Sequence, residues 1–169
     1  MDILSPSRLS RELRLGTGDD LKLRRIGIAL SFAGAAIGAI VGAYQTGILR
    51  RLPDILPGRI WDAEKVDASD YAYGNLQMPD GPQMLINYGI TAALMAAGGK
   101  DRARQAPALP VAAAAKTVFD LVLAGALAKK EWRDNRALCS WCQVATVISA
   151  VSVALALPEA VKALRGRAA

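Results

Sequence analysis

Residues 26–49 run for twenty-four positions without one charged side chain, between Arg24-Arg25 and Arg50-Arg51. At about 1.5 Å of rise per residue, such a run spans roughly 36 Å as a helix, enough to cross a ~30 Å hydrocarbon core with some tilt. In lipid every backbone N–H and C=O must find its partner within the segment, and an unbroken helix achieves that. The apolar stretch far exceeds the ~7–15 residues of a secretory signal, so it is expected to remain as a permanent helix. Three further apolar runs follow at residues 81–99, 106–128 and 137–157, the first and last of them also free of charge. Together they predict an all-α polytopic membrane protein, a bundle of four transmembrane helices. A water-soluble bundle with an Ala-rich core is the alternative. It fits less well, because soluble helices need a polar stripe that these runs lack.

The domain organisation follows from these runs. Residues 1–25 make a basic cytosolic or interfacial segment, 26–157 the bundle, and 158–169 a basic tail. In the first segment Leu9, Leu13 and Leu15 suggest a short interfacial helix interrupted by Gly16 and Gly18; a partly ordered tail is the other reading. Residues 50–80 form the one sizeable outer loop, with Pro53, Pro57, Pro79 and an acidic cluster of Asp62, Glu64, Asp67 and Asp70. This loop is expected to cap the outer end of the bundle. The two later connections are short, so successive helices should be antiparallel neighbours. With both termini cytosolic, twelve Lys and Arg lie inside against eight outside, the arrangement the positive-inside rule favours. Trp61, Trp132 and Trp141 then all fall near the outer interface.

The net charge of +6 sits at the ends of the apolar runs, where lipid headgroups meet it. The expected partner is therefore a lipid bilayer and not nucleic acid. Gly34, Gly38 and Gly42 recur every four residues and let two helix backbones approach closely. They could form a dimer seam or, more in keeping with a four-helix bundle, an intramolecular contact. The alanines at 112–115 of the third helix offer a smooth face for it.

No histidine is present, which removes the commonest general base and the commonest metal ligand. Two cysteines cannot close a four-ligand zinc site from one chain. Cys139-Ser140-Trp141-Cys142 is followed by Gln143, so the haem-attachment pattern fails as well. Neither metal nor haem is expected. Cysteines at i and i+3 on a helix lie about 5 Å apart at Cα, within disulfide reach. A helix start presents free N–H groups that favour thiolate, so such a pair can cycle between dithiol and disulfide. With the termini inside, it faces the compartment where disulfides persist. The alternative is two cysteines acting as small buried apolar residues.

Lys116 and Asp120 stand near the middle of the third run, four residues apart. Each charge at that depth costs at least ~2.5–3.5 kcal/mol, so they should pair or face the bundle interior. Asp120 could belong to a proton relay; a neutralising ion pair, or contact with a partner subunit, is the plainer reading.

A short four-helix membrane chain with C-x-x-C opening its last helix resembles the vitamin K epoxide reductase family, over most of residues 24–165. The pieces that carry the likeness are Gly42-Ala43-Tyr44-Gln45-Thr46-Gly47, Met78-Pro79-Asp80-Gly81 and Leu138-Cys139-Ser140-Trp141-Cys142-Gln143, the last being the diagnostic one. The resemblance implies a quinone in a pocket between the helices. It implies electron flow from a thiol partner through the catalytic pair Cys139 and Cys142, with Cys139 exchanging with incoming thiols and Cys142 facing the quinone. It further implies a bacterial cytoplasmic (inner) membrane and a periplasmic thiol protein as donor. Asn87 and Tyr88 on the second helix could meet a quinone carbonyl, or serve as ordinary interhelical hydrogen bonds. Thr146 stands where the family often has a tyrosine, one turn after the second cysteine. Family members normally carry a second cysteine pair in the first loop, and residues 50–83 contain none. Either a separate protein delivers thiols directly to Cys139, or the relay is lost. The rival reading is accordingly a non-catalytic subunit of a larger membrane complex. A transporter fits poorly, because no internal repeat supports alternating access.

Overall fold

Asp19 and Asp20 open the first long helix, where carboxylates complement the partial positive charge of a helix start. The structure is a computed structural model that describes residues 5–74 and 76–168, the side chains at 167 and 168 excepted. Residues 1–4 of the expected N-terminal segment and residue 169 of the expected tail lie outside it. The described chain runs α1 (Pro6–Leu15), α2 (Asp19–Gln45), α3 (Ala63–Asp67), α4 (Asp70–Tyr73), α5 (Asp80–Ala96), α6 (Arg102–Gln105), α7 (Ala108–Asn135) and α8 (Ser140–Ala168). The all-α expectation holds: no strand occurs among the described residues, apart from a single bridge between Trp61 and Leu138.

Three helices, α2, α7 and α8, are long and apolar enough to cross a membrane. α5 has 17 residues and is apolar but shorter. It ends at Ala96 and not at residue 99, because two arginines take the carbonyls that a helix C-terminus leaves unpaired. Arg24 donates to the carbonyls of Met95, Ala96, Ala97, Gly98 and Gly99 at 2.9–3.1 Å. Arg102 donates to those of Leu94, Met95 and Ala97. Arg102 also forms a bidentate pair with Glu159, at 2.9 and 2.7 Å. Both side chains are buried.

The other boundaries shift for equally local reasons. α2 stops at Gln45, not at residue 49, where Gly47 turns to a positive φ and the Leu49 N–H reaches back to the Ala43 carbonyl. α7 continues beyond residue 128 to Asn135, with Glu131 and Asn135 facing inward. α8 starts at Ser140 and runs through Pro158. Most of the expected tail is therefore helix. Glu159 is paired there, Ala160 and Ala163 are buried, and Lys162 binds Asp20 at the start of α2 at 2.6 Å. α1 is helical, with Ser5 capping its first turn, and Arg25 holds its end through the carbonyls of Leu13 and Gly16.

The glycine stripe of α2 is an intramolecular seam, but its partner is α5 and not the alanine run of α7. A Cβ at Gly34 would lie 2.6 Å from the Tyr88 ring, and one at Gly42 would meet Pro82 at 2.8 Å. α2 packs most extensively on α5, and α7 on α8, so two close pairs make up the bundle. The loop before α5 folds over one end of it. Leu52, Ala63 and Val66 are buried there beside Cys139.

Candidate functional site

At the capped end, the chain turns from α7 into α8 through Ala137, Leu138 and Cys139. Loop backbone holds this connection in place: Leu138 N–H donates to the Ile60 carbonyl at 2.8 Å, and Asp62 N–H to the Leu138 carbonyl at 3.0 Å. Asp54 stitches loop to helix, accepting from Ala63 N–H, Ser140 N–H and Ser140 Oγ. The Trp141 indole donates to the Pro53 carbonyl at 3.0 Å.

Cys139 occupies the position just before α8, and its sulfur accepts the Cys142 N–H at 3.3 Å. It thus acts as a cap for the helix it precedes. Neither cysteine is in a disulfide. Cys139 is fully buried, whereas Cys142 is half-buried and forms part of a cavity wall. The two sulfurs and a carboxylate oxygen of Asp67 all lie within 4.8 Å of one another. A divalent ion would accept that spacing too, yet a structural tetrahedral site takes four side chains, and no fourth joins this group among the described residues.

The electrostatics differ from what a bare helix start offers. Two of the N–H groups there are already taken by carboxylates: Glu131 accepts the Cys139 N–H and Asp54 the Ser140 N–H, and Glu131 also accepts from the Gln143 side-chain amide at 3.1 Å. Asp67 is completely buried. The Cys142 thiol points at its Oδ1 at 3.9 Å, and its Oδ2 has no hydrogen-bond partner among the described residues. Burial pushes the Asp67 carboxyl up to about 7; the Cys139 hydrogen bond opposes this, and the nearby charges of Asp80 and Asp54 add to it.

The cavity measures about 250 Å³ between α5, α7 and α8, and Tyr71 of α4 also lines it. Of the residues singled out from the sequence, all but Cys139 and Lys116 line it: Cys142, Asn87, Tyr88, Thr146 and Asp120. Their polar groups are largely engaged. Tyr88 OH bonds the Ala145 carbonyl and Ser149 Oγ on α8. Thr146 Oγ donates to the Cys142 carbonyl at 3.0 Å. Asn87 accepts from Lys116 at 2.8 Å and donates to Asp120 at 3.1 Å. Lys116 and Asp120 pair at 2.6 Å, and Thr91 adds a hydrogen bond to the same carboxylate. The buried pair is thus a four-residue polar cluster spanning α5 and α7, which supports the reading of a neutralising ion pair.

Asp67, Glu131 and Asp54 were not singled out as site residues. Asp67 stood in an acidic loop cluster that reads as solvated, and Glu131 in a charged stretch, Lys129-Lys130-Glu131, that reads as a helix end. The return of the loop over α8 brings Asp67 and Asp54 to the cysteines, and the short turn from α7 into α8 brings Glu131.

Among known proteins, no curated protein and no solved structure matches the chain. The family model described as the vitamin K epoxide reductase family matches residues 25–157, which include α5, α7, the Cys139–Cys142 pair and most of α2. With a C-x-x-C at the head of its last helix and apolar helices beneath it, the chain belongs to the vitamin K epoxide reductase family, and so to a family of membrane redox proteins.

Proposed function

We propose that this chain is a thiol–quinone oxidoreductase of the bacterial cytoplasmic membrane. Electrons from a periplasmic thiol protein pass through Cys139 and Cys142 to a quinone held between α5, α7 and α8. One observation carries the reading: Cys142 borders the cavity while its sulfur lies within 4.8 Å of its partner's. A single cysteine in contact with both a pocket and a second thiol has the geometry to couple a two-electron acceptor to a dithiol. The cavity suits a quinone ring better than a whole prenylated molecule. Met84 and Leu127 supply apolar wall, and Leu123 is exposed at its edge, where a tail would leave toward lipid. Tyr88, Asn87 and Thr146 line the same cavity, and on this reading each exchanges its present partner for a quinone carbonyl. On this reading α5 is the fourth crossing, and both termini are cytosolic.

The test uses purified protein, a small dithiol and a soluble quinone analogue. Wild type should reduce the quinone, and Cys142→Ala and Cys139→Ala should lose that turnover. Unchanged turnover in Cys142→Ala would refute the assignment.

A second reading is favoured by the complete burial of Cys139 under a loop that holds no cysteine. A non-catalytic subunit of a larger membrane complex would have no need to open it. Thiol labelling in native membranes separates the two. A pair that oxidises and reduces with the quinone pool supports the enzyme, and one that stays reduced and unreactive supports the subunit.

A further inference from the structure

Resting on that redox reading, we infer that Asp67 is a catalytic acid–base residue of the cysteine pair, exchanging a proton with the Cys142 sulfur as the disulfide opens and closes. Three observations support the inference. The carboxylate lies within 4.8 Å of both sulfurs, and the Cys142 thiol points at Oδ1. Its other oxygen has no hydrogen-bond partner among the described residues, although the side chain is fully buried. A carboxylate kept dry and half-satisfied is costly, and its placement against two reacting atoms gives that cost a purpose.

The groups around it set the pH range. Asp54 from the loop and Asp80 from α5 raise its affinity for a proton, as does burial. Glu131 of α7, Tyr71 of α4 and Tyr44 of α2 feel its charge in turn. No cation stands among these neighbours, and burial outweighs the hydrogen bonds from the two thiols, so the proton leaves near neutrality instead of near pH 4.

The step balances as follows. A donor thiolate attacks Cys139 Sγ, forming the mixed disulfide and breaking the Cys139–Cys142 bond. Cys142 departs with the bonding electron pair and takes the proton from the Asp67 carboxyl, leaving a carboxylate. The donor's second thiol then displaces Cys139, its proton passing to the departing Cys139 sulfur, so the donor is oxidised to its disulfide and the pair is reduced by two electrons. Reoxidation returns the Cys142 proton to the carboxylate as the two electrons pass to the quinone, which takes the Cys139 proton and one from solvent to become the quinol.

The experiment needs no quinone. The pair is oxidised in the full-length protein in detergent, and its opening by dithiothreitol is followed from pH 5.5 to 9 by counting thiols. Rates are divided by the fraction of dithiothreitol present as thiolate. Wild type should show a corrected rate that falls as pH rises through the titration of the Asp67 carboxyl, which burial lifts far above the usual carboxylate range. Asp67→Asn should be slower by tenfold or more at pH 6, with no such fall, and Asp67→Glu should recover part of both. A wild-type profile flat across the whole of pH 5.5–9 overturns the inference even if Asp67→Asn fails to fold, as does an Asp67→Asn profile matching wild type. Wild type that opens with the expected profile but reduces no quinone removes the proposed enzyme activity and leaves Asp67 its role. A pair that cannot be oxidised to a disulfide at all overturns both.

Discussion

The ring of Tyr88 lies against Gly34 so closely that a single methyl group on the glycine would sit 2.6–2.7 Å from three ring carbons. From that position the hydroxyl crosses to α8 and bonds the Ala145 carbonyl and Ser149. One small residue on α2 therefore determines how deeply an α5 side chain reaches into the wall of the cavity that Cys142 shares. Gly34→Ala should push the ring outward and destabilise the protein by about 1–3 kcal/mol, the usual cost of overpacking. Thermal unfolding in detergent measures this, and faster alkylation of Cys142 should accompany it as the wall loosens.

At the opposite end of the bundle, Arg102 and Glu159 are both nearly inaccessible. Arg102→Ala should cost about 3–5 kcal/mol, because it leaves a buried carboxylate without its partner. Arg102→Met combined with Glu159→Leu should recover the part due to the orphaned charge. It should not recover the part due to the α5 carbonyls that Arg102 also holds. A double-mutant cycle on chemical unfolding separates the two contributions.

Lys116 and Asp120 call for a test that distinguishes charge balance from proton transfer. Asp120→Asn alone leaves a lysine ammonium in the bundle and should lower stability by about 1–3 kcal/mol. Lys116→Met with Asp120→Asn should restore most of it, with dithiol-driven turnover within threefold of wild type. Loss of turnover in the paired variant, with stability regained, would return Asp120 to the role of proton carrier.

Asp67 predicts a pH-dependent stability of definite sign. Burial raises its carboxyl from 3.8 to about 7, so the folded protein keeps a proton that the unfolded chain releases between those values. This group's contribution is intact below about pH 4 and declines as pH rises toward 7, by on the order of a few kcal/mol. The difference in unfolding free energy between wild type and Asp67→Asn, measured at pH 5, 6, 7 and 8, should fall in the same direction and level off above pH 7. A difference that rises with pH would contradict the burial-driven shift.

How much of this was legible beforehand depends on the range of the interactions involved. The uncharged run at 26–49, and its fellows, could be read as helices because crossing lipid is a demand on each segment alone. The C-x-x-C pair could be read as neighbouring sulfurs because a residue opening a helix and the one three positions on are close in any fold. Helix ends were less legible. α5 stops where Arg24, from some seventy residues earlier, takes its carbonyls, and α8 continues past Pro158 because Glu159 and Lys162 find partners on α6 and α2.

The amino-acid order by itself thus determined the membrane-compatible helices and the proximity of two thiols, since both follow from spacing along one element. The tertiary structure alone decided which helix the glycines of α2 would meet, and that Asp67, Glu131 and Asp54 would surround the pair. Burial and mutual approach of acidic groups are properties of how distant segments pack. A carboxylate that looks solvated in a loop becomes a dry neighbour of sulfur only when that loop closes over the end of another helix.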